Sequence, residues 1–156
     1  MFRVLSDPAI YEFENEPPVS EEWLANRYRL LETRESRDGA ERWLNWVVRL
    51  PAGELAGYVQ ATVLASGTSL VAYELNSRHW RQGIGGSAVT AVLEELRSSY
   101  ATRTFVAVLK AANYRSMALL RALGFSPAPQ LQAAEFGPDA DERVMLMEVR
   151  TSEGAA

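Results

Sequence analysis

The chain reads as a mixed α/β (α+β) protein, a mostly antiparallel sheet flanked by helices with its first strand short or missing. Three observations carry that expectation. Residues 42–50, 55–64 and 69–75 alternate apolar and polar positions with turn residues between them, as in a three-stranded meander. A glycine-rich turn and a helical pattern follow, with Ala88, Val89, Val92, Leu93 and Leu96 on one face. Residues 104–109 then form an apolar run rich in β-branched side chains, which suits a buried strand joined to its predecessor by a helical crossover.

Taken in order, residues 1–5 leave room for at most a very short strand. Asp7-Pro8 is a helix start, with the aspartate as cap and proline in the first helical position, and Pro17-Pro18 stops that helix. Ser20 caps a second helix that places Trp23, Leu24, Arg27, Tyr28 and Leu31 on one side. In the first long strand Leu44, Trp46, Val48 and Leu50 share a face opposite Trp43, Asn45 and Val47. In the third, Val71, Tyr73 and Leu75 alternate with Leu70, Ala72 and Glu74. Asn113 caps a helix that ends at Gly124, a left-handed stop. Residues 130–136 and 144–149 read as a final hairpin around a polar loop at 137–142. The organisation expected is one domain over residues 1–150 and a flexible tail over 151–156.

A length of 156 residues suffices for one buried core, and 47% hydrophobic with 23% charged residues is ordinary for a soluble globule. No apolar run approaches the ~20 residues of a membrane span, and no signal pattern opens the chain, so the expectation is a cytoplasmic protein with no membrane partner. The absence of cysteine excludes disulfides and thiol nucleophiles. A single histidine leaves no basis for a histidine metal site or a serine–histidine triad, and no metal is expected. A net charge of −4 argues against nucleic acid and favours a cationic or amine-bearing acceptor.

The chemistry concentrates in Arg81-Gln82-Gly83-Ile84-Gly85-Gly86, between the third strand and its helix. Glycines there allow close backbone approach, and the free amides of a helix start suit an anion such as a pyrophosphate. Three readings fit: a turn with no ligand, a dinucleotide site of the oxidoreductase kind on a G-x-G-x-x-A match at Gly83, Gly85 and Ala88, or an acyl-carrier loop. The dinucleotide reading lacks glycines directly after the strand and meets Lys110 where an acidic residue is needed. A P-loop is excluded, since no Gly-Lys-Ser/Thr follows.

Trp80-Arg-Gln-Gly-Ile-Gly-Gly86 resembles the acyl-CoA pyrophosphate loop of the GNAT superfamily of N-acetyltransferases. The segment Asn113-Tyr-Arg-Ser116-Met-Ala-Leu-Leu-Arg-Ala-Leu-Gly-Phe125 resembles the second signature of that superfamily, and Trp80 with the Asn113/Ser116 pair is most similar to the branch that acetylates ribosomal-protein N-termini. The resemblance implies acetyl-CoA as acyl donor and transfer to a primary amine, a protein N-terminus or a small molecule, by direct attack in a ternary complex. It implies that the backbone of Arg81, Gln82, Gly83, Ile84, Gly85 and Gly86 grips the pyrophosphate. Tyr73, Glu74 and Leu75 would pair with the pantetheine arm where two parallel strands splay, and Asn113 would bond that arm through its side-chain amide. Ser116 is implied as proton donor to the thiolate, with a surface or capping hydroxyl as the alternative. Glu74 is the candidate base, with a solvated or salt-bridged strand glutamate as the alternative. Trp80 stands where the superfamily has arginine or glutamine, and an indole N–H cannot replace a guanidinium. His79 is expected to be a solvated loop residue. A non-catalytic acyl-CoA-binding sensor on the same fold is the rival reading, and an exposed last strand leaves a homodimer open.

Overall fold

The computed structural model describes residues 1–149. The expected tail at 151–156 lies outside the described residues. Six strands form one sheet in the order β1-β2-β3-β4-β6-β5. β1 (Glu41–Arg49), β2 (Leu55–Leu64) and β3 (Thr68–Leu75) make the antiparallel meander. Helix α3 (Ile84–Ser99) carries the chain across to β4 (Thr104–Lys110), which lies parallel to β3 and antiparallel to β6 (Glu142–Glu148). Helix α4 (Tyr114–Ala122) follows β4.

The two sheet faces have different tasks. Val59, Val71, Phe105 and Ala107 point to one side and form the main core with Val89, Val92, Leu93 and Leu96 of α3 and Leu120 of α4. The opposite side is covered in two pieces. Helix α2 (Glu21–Leu31), started by the Ser20 hydroxyl on the Trp23 amide at 3.0 Å, stands over the β1 side. Helix α5 (Gln130–Ala134) and the loop after it cover Val106, Val144 and Leu146 with Ala133 and Phe136. Of the α2 face read from the sequence only Leu24 is buried, while Trp23 stays 46% exposed. That face is apolar because it walls a cleft, along with Arg27 and Tyr28, and not because it packs into the core.

At the ends of the chain one open alternative is resolved and two expectations are corrected. Residues 2–5 are a single helical turn, α1 (Phe2–Leu5), so the first strand is missing and not shortened. Asp7-Pro8 opens only a 3₁₀ turn, Pro8–Tyr11, with Asp7 accepting from the Ala9 amide. The final hairpin is not formed by residues 130–136. The strand beside β6 is the two-residue β5 (Ser126–Pro127), and Gln130–Ala134 is helix. Gln, Leu and Ala are strong helix formers with little β preference, and Pro127 and Pro129 curtail the ladder.

β3 and β4 are paired only over Thr68↔Thr104, Ser69↔Phe105 and Leu70↔Val106. At that end the buried hydroxyls of Ser69 and Thr102 meet at 2.8 Å, and the amides of Arg103 and Thr104 both donate to the Gly67 carbonyl. Beyond Leu70 the strands part, because each follows its other neighbour: β3 stays paired with β2 to Leu75↔Gly57, β4 with β6 to Lys110↔Glu142. Gly57 is what lets β2 hold the far end of β3 so closely, since a Cβ there would stand 2.0 Å from the Glu74 carbonyl oxygen. A Gly57→Ala change should therefore cost about 1–3 kcal/mol through overpacking, read as a lowered Cm in urea.

Candidate active site

The gap between β3 and β4 opens into a cleft of about 1690 Å³ that runs from the glycine loop to the uncovered sheet face. The backbone of β3 supplies its first polar groups. The Asn76 amide donates to the Ala56 carbonyl, so alternation along the strand turns the Glu74 amide toward β2 as well. The amides of Tyr73 and Leu75 face the gap instead. Of the three residues expected to pair with an extended ligand, Glu74 is thus corrected: its backbone belongs to the sheet. The Leu75 carbonyl, on the gap side, accepts the Trp80 indole N–H at 2.7 Å. Trp80 closes the end of the strand, a different task from binding a phosphate.

The glycine loop lies at the open end. Arg81 and Gly83 have positive φ, 58° and 77°, and left-handed residues of this kind let successive amides converge. The first loop amide engaged by backbone is that of Ser87, on the Gly83 carbonyl, so the amides of residues 81–86 have no hydrogen-bond partner among the described residues. Helix α3 has no side-chain cap there, which leaves the positive end of its dipole facing the cleft. A Cβ on Gly85 would touch Leu119 and Leu75 at 3.6 and 3.9 Å, so that position borders the gap itself. The cradle fits an acyl carrier's pyrophosphate: donors in excess, no acidic side chain in the loop, and Arg78 and Arg81 beside it.

Across the gap, Asn113 accepts from the Ser116 amide at 3.1 Å and so caps α4 as expected. Its Nδ2 is not free: it donates to Glu14 Oε1 at 3.3 Å. Ser116 is half-buried one turn into α4, and the Tyr73 hydroxyl donates to its carbonyl at 3.4 Å. Burial raises the pKa of Tyr73, the Ser116 side chain draws it down, and the negative charge of Glu14 adds to the rise.

Glu74 projects on the other side of the sheet from Tyr73, and it too lines the cleft. Its carboxylate accepts from the Tyr11 hydroxyl at 3.4 Å, and Tyr58, paired opposite it on β2, faces it too. Burial raises the Glu74 pKa above the ordinary glutamate value; the hydroxyls of Tyr58 and Tyr11 and the charge of Arg27 oppose the rise, and Glu14 reinforces it. The same surroundings push both tyrosines upward, by burial first and the Glu74 charge second, so they stay neutral donors. The single Tyr11 proton is shared between Glu74 and the nearer Leu5 carbonyl at 2.8 Å, which ties this cluster to the amino-terminal turn.

Tyr11, Glu14 and Arg115 were not singled out from the sequence. Tyr58 reads from the sequence as packing or as part of an acceptor pocket, and counting back through the turn at Ser66-Gly67 puts it opposite Glu74. No local signal marks Glu14, which reaches Asn113 across 99 positions of chain. His79 is corrected as well. It is only 8% exposed, with Nε2 3.7 Å from Glu54, and so is a buried side chain and not a solvated one. Among the described residues no group of three or more acidic, histidine or cysteine side chains is placed to hold a metal, and no helix is long and apolar enough to cross a membrane.

A parallel strand pair split at mid-length, with an uncapped glycine-lined helix at the open end, offers backbone donors to an extended ligand that carries an anionic group. Residues 1–126 match the family model described as the acetyltransferase (GNAT) domain, and the chain belongs to that family. Among solved structures it is similar to a spermidine N-acetyltransferase from Vibrio cholerae in complex with CoA and spermine, at 18% identity and TM-score 0.73, covering 94% of this chain and 86% of that one. A ribosomal-protein-alanine N-acetyltransferase from Brucella melitensis gives 22% identity and TM-score 0.65 over 95% of this chain and 91% of that one. A phosphinothricin acetyltransferase from Sinorhizobium meliloti in complex with AcCoA gives 19% and 0.65 over 98% and 89%.

Proposed function

We propose that the protein is an acetyl-CoA-dependent N-acetyltransferase that acts on a primary amine by direct attack, with its nearest functional kin in the ribosomal-protein N-terminal branch. The observation that carries this reading is the parting of β3 from β4 after Leu70, with the unpaired amides of residues 81–86 at its open end. Acetyl-CoA supplies an acetyl group activated as a thioester. The loop amides of Arg81, Gln82, Gly83, Ile84, Gly85 and Gly86 hold its pyrophosphate, the amides of Tyr73 and Leu75 hold the arm, and the side chain of Asn113 steadies the arm from the other wall. Glu74 takes the proton of the attacking amine, directly or through one water. Its raised pKa makes it a stronger base than an exposed glutamate. Ser116 stands on α4 to return a proton to the departing sulfur.

Support for the branch rests on the Asn113/Ser116 pair and Trp80, all of which line the one cleft. Calorimetric titration with acetyl-CoA tests the reading. Micromolar binding followed by thiol release with an amine panel is expected, and no binding at millimolar cofactor would end it. Tight binding with no turnover on any amine or peptide would move the protein to the sensor class.

A further inference from the structure

The stretch between the 3₁₀ turn and α2 lies against the start of α4 and grips it with three successive side chains. Glu12 forms an ion pair with Arg115. Phe13 meets the Tyr114 ring edge-on, centroids 5.6 Å apart, and lies 4.8 Å from the Arg115 guanidinium. Arg115 also stacks over Trp80 at 4.6 Å. Held between these contacts, Glu14 accepts the Asn113 amide N–H at 3.3 Å. All three grips fall on the first turn of α4 or its cap, the wall that the acetyl-CoA reading assigns to the carrier arm.

Asn113 has little freedom to serve two partners. Its Oδ1 is committed to the Ser116 amide, which fixes the plane of the carboxamide and aims Nδ2 at Glu14. A ligand in the gap that needs that N–H must share or displace the carboxylate. Once displaced, Glu14 has an obvious next partner. Glu14 lines the same cleft as Tyr73 and Glu74, and its negative charge acts on both. There Tyr11 and Tyr58 face Glu74, Tyr28 and Arg27 line the same cleft, and Arg27 is the counter-cation that acts on Glu74. Two carboxylates against one guanidinium leave a single negative charge beside aromatic walls, which suits a singly charged ammonium and not a polycation.

Resting on the acetyl-CoA reading, we propose that Glu14 is an internal latch and a specificity residue: it occupies Asn113 in the free protein, and when the carrier arm takes Asn113 it turns to receive a monocationic primary amine together with Glu74. Donor and amine then bind cooperatively, because the first frees the carboxylate that the second uses.

Two variants separate the roles. Glu14→Ala removes both latch and charge, so it should bind acetyl-CoA about three- to tenfold more tightly than wild type, the scale of one ordinary net hydrogen bond. Glu14→Gln keeps an acceptor for Asn113 but no charge; it should raise KM for alaninamide about tenfold with kcat nearly unchanged. In the wild type, alaninamide should bind measurably in calorimetry with CoA present and at least tenfold more weakly without it, while spermidine shows no such preference. Unchanged acetyl-CoA affinity in Glu14→Ala, unchanged KM in Glu14→Gln, or no alaninamide binding beside CoA would each overturn the proposal. If only Glu14→Ala binds acetyl-CoA, the latch is stronger than expected and stands; if neither protein binds it, the acetyl-CoA reading fails and takes the latch with it.

Discussion

Helices α3 and α4 begin at the same end of the parallel strand pair, one on each side of the gap, and they begin in opposite ways. The start of α3 is bare, with a left-handed glycine in the cap position and no side chain on its amides. The start of α4 is crowded: Asn113 caps it, Glu14 holds Asn113, and Arg115 is stacked among Phe13, Trp80 and Tyr114. The cost of an uncapped helix end is normally met by a serine, threonine or aspartate, so its absence at α3 leaves donors for something external. At α4 the chain has met that need itself, and an incoming ligand must compete with groups already in place. One wall is built to receive and the other to be released.

The bluntest way to break this contrast is to fill the bare side. Gly85→Leu puts branched carbon between Leu75 and Leu119, and acetyl-CoA affinity should fall by about 100-fold, or ~2.7 kcal/mol, with the far-ultraviolet spectrum unchanged. Calorimetry reads it, and unaltered affinity would remove the loop from the site. The crowded wall is next. Ser116→Ala should lower kcat by about tenfold or more while the acetyl-CoA Kd stays within twofold. Equal rates would return that hydroxyl to a bystander. A smaller effect is expected from Asn113→Ala, which loses the cap and should cost about 1 kcal/mol of stability in urea unfolding.

The smallest effect sharpens the comparison through pH. The folded pKa of Glu74 lies above its unfolded value, so the folded state binds the extra proton in the window between them. The stability this contributes is fully present below the unfolded value and is lost as pH rises through the folded one. Glu74→Gln should therefore stabilise the protein slightly at neutral pH and make no difference at pH 3, measured as Tm across that range. In the wild type the acid limb of kcat/KM should lie above that of an exposed glutamate, and it should vanish in the variant. The ordinary glutamate midpoint in the wild type would show that Glu74 is not the base.

The legible parts of this molecule were those written in short range. The meander, the crossover helix and both caps follow from period, turn residues and single polar positions, and Ser20 and Asn113 sit where their spacing puts them. The facing of Glu74 away from Tyr73 follows from the pleat alone. What failed had one of two physical causes. Residues 130–136 read as one arm of a hairpin around the polar loop at 137–142, while Gln130-Leu-Gln-Ala-Ala134 has the composition of a helix, and composition won. The contacts of Glu12, Phe13 and Glu14 are set by where a loop is carried by α2 and the amino-terminal turn, and no local pattern records that course. His79 belongs with them: the Asn76 side chain caps the short turn and tucks it inward.

The bolt of Ser69 on Thr102 has a wider implication. An unpaired strand border on the outside of a protein invites other polypeptides to add to it and spread. Here the released half of β3 faces inward, with β4 opposite and α3 and α4 beneath, and the slit is fastened at its base. Such a recess admits a slender, unbranched chain end-on, so the backbone donors that make the fold useful are kept from aggregation by their place between two strands that the Ser69 and Thr102 hydroxyls help to hold together at the base.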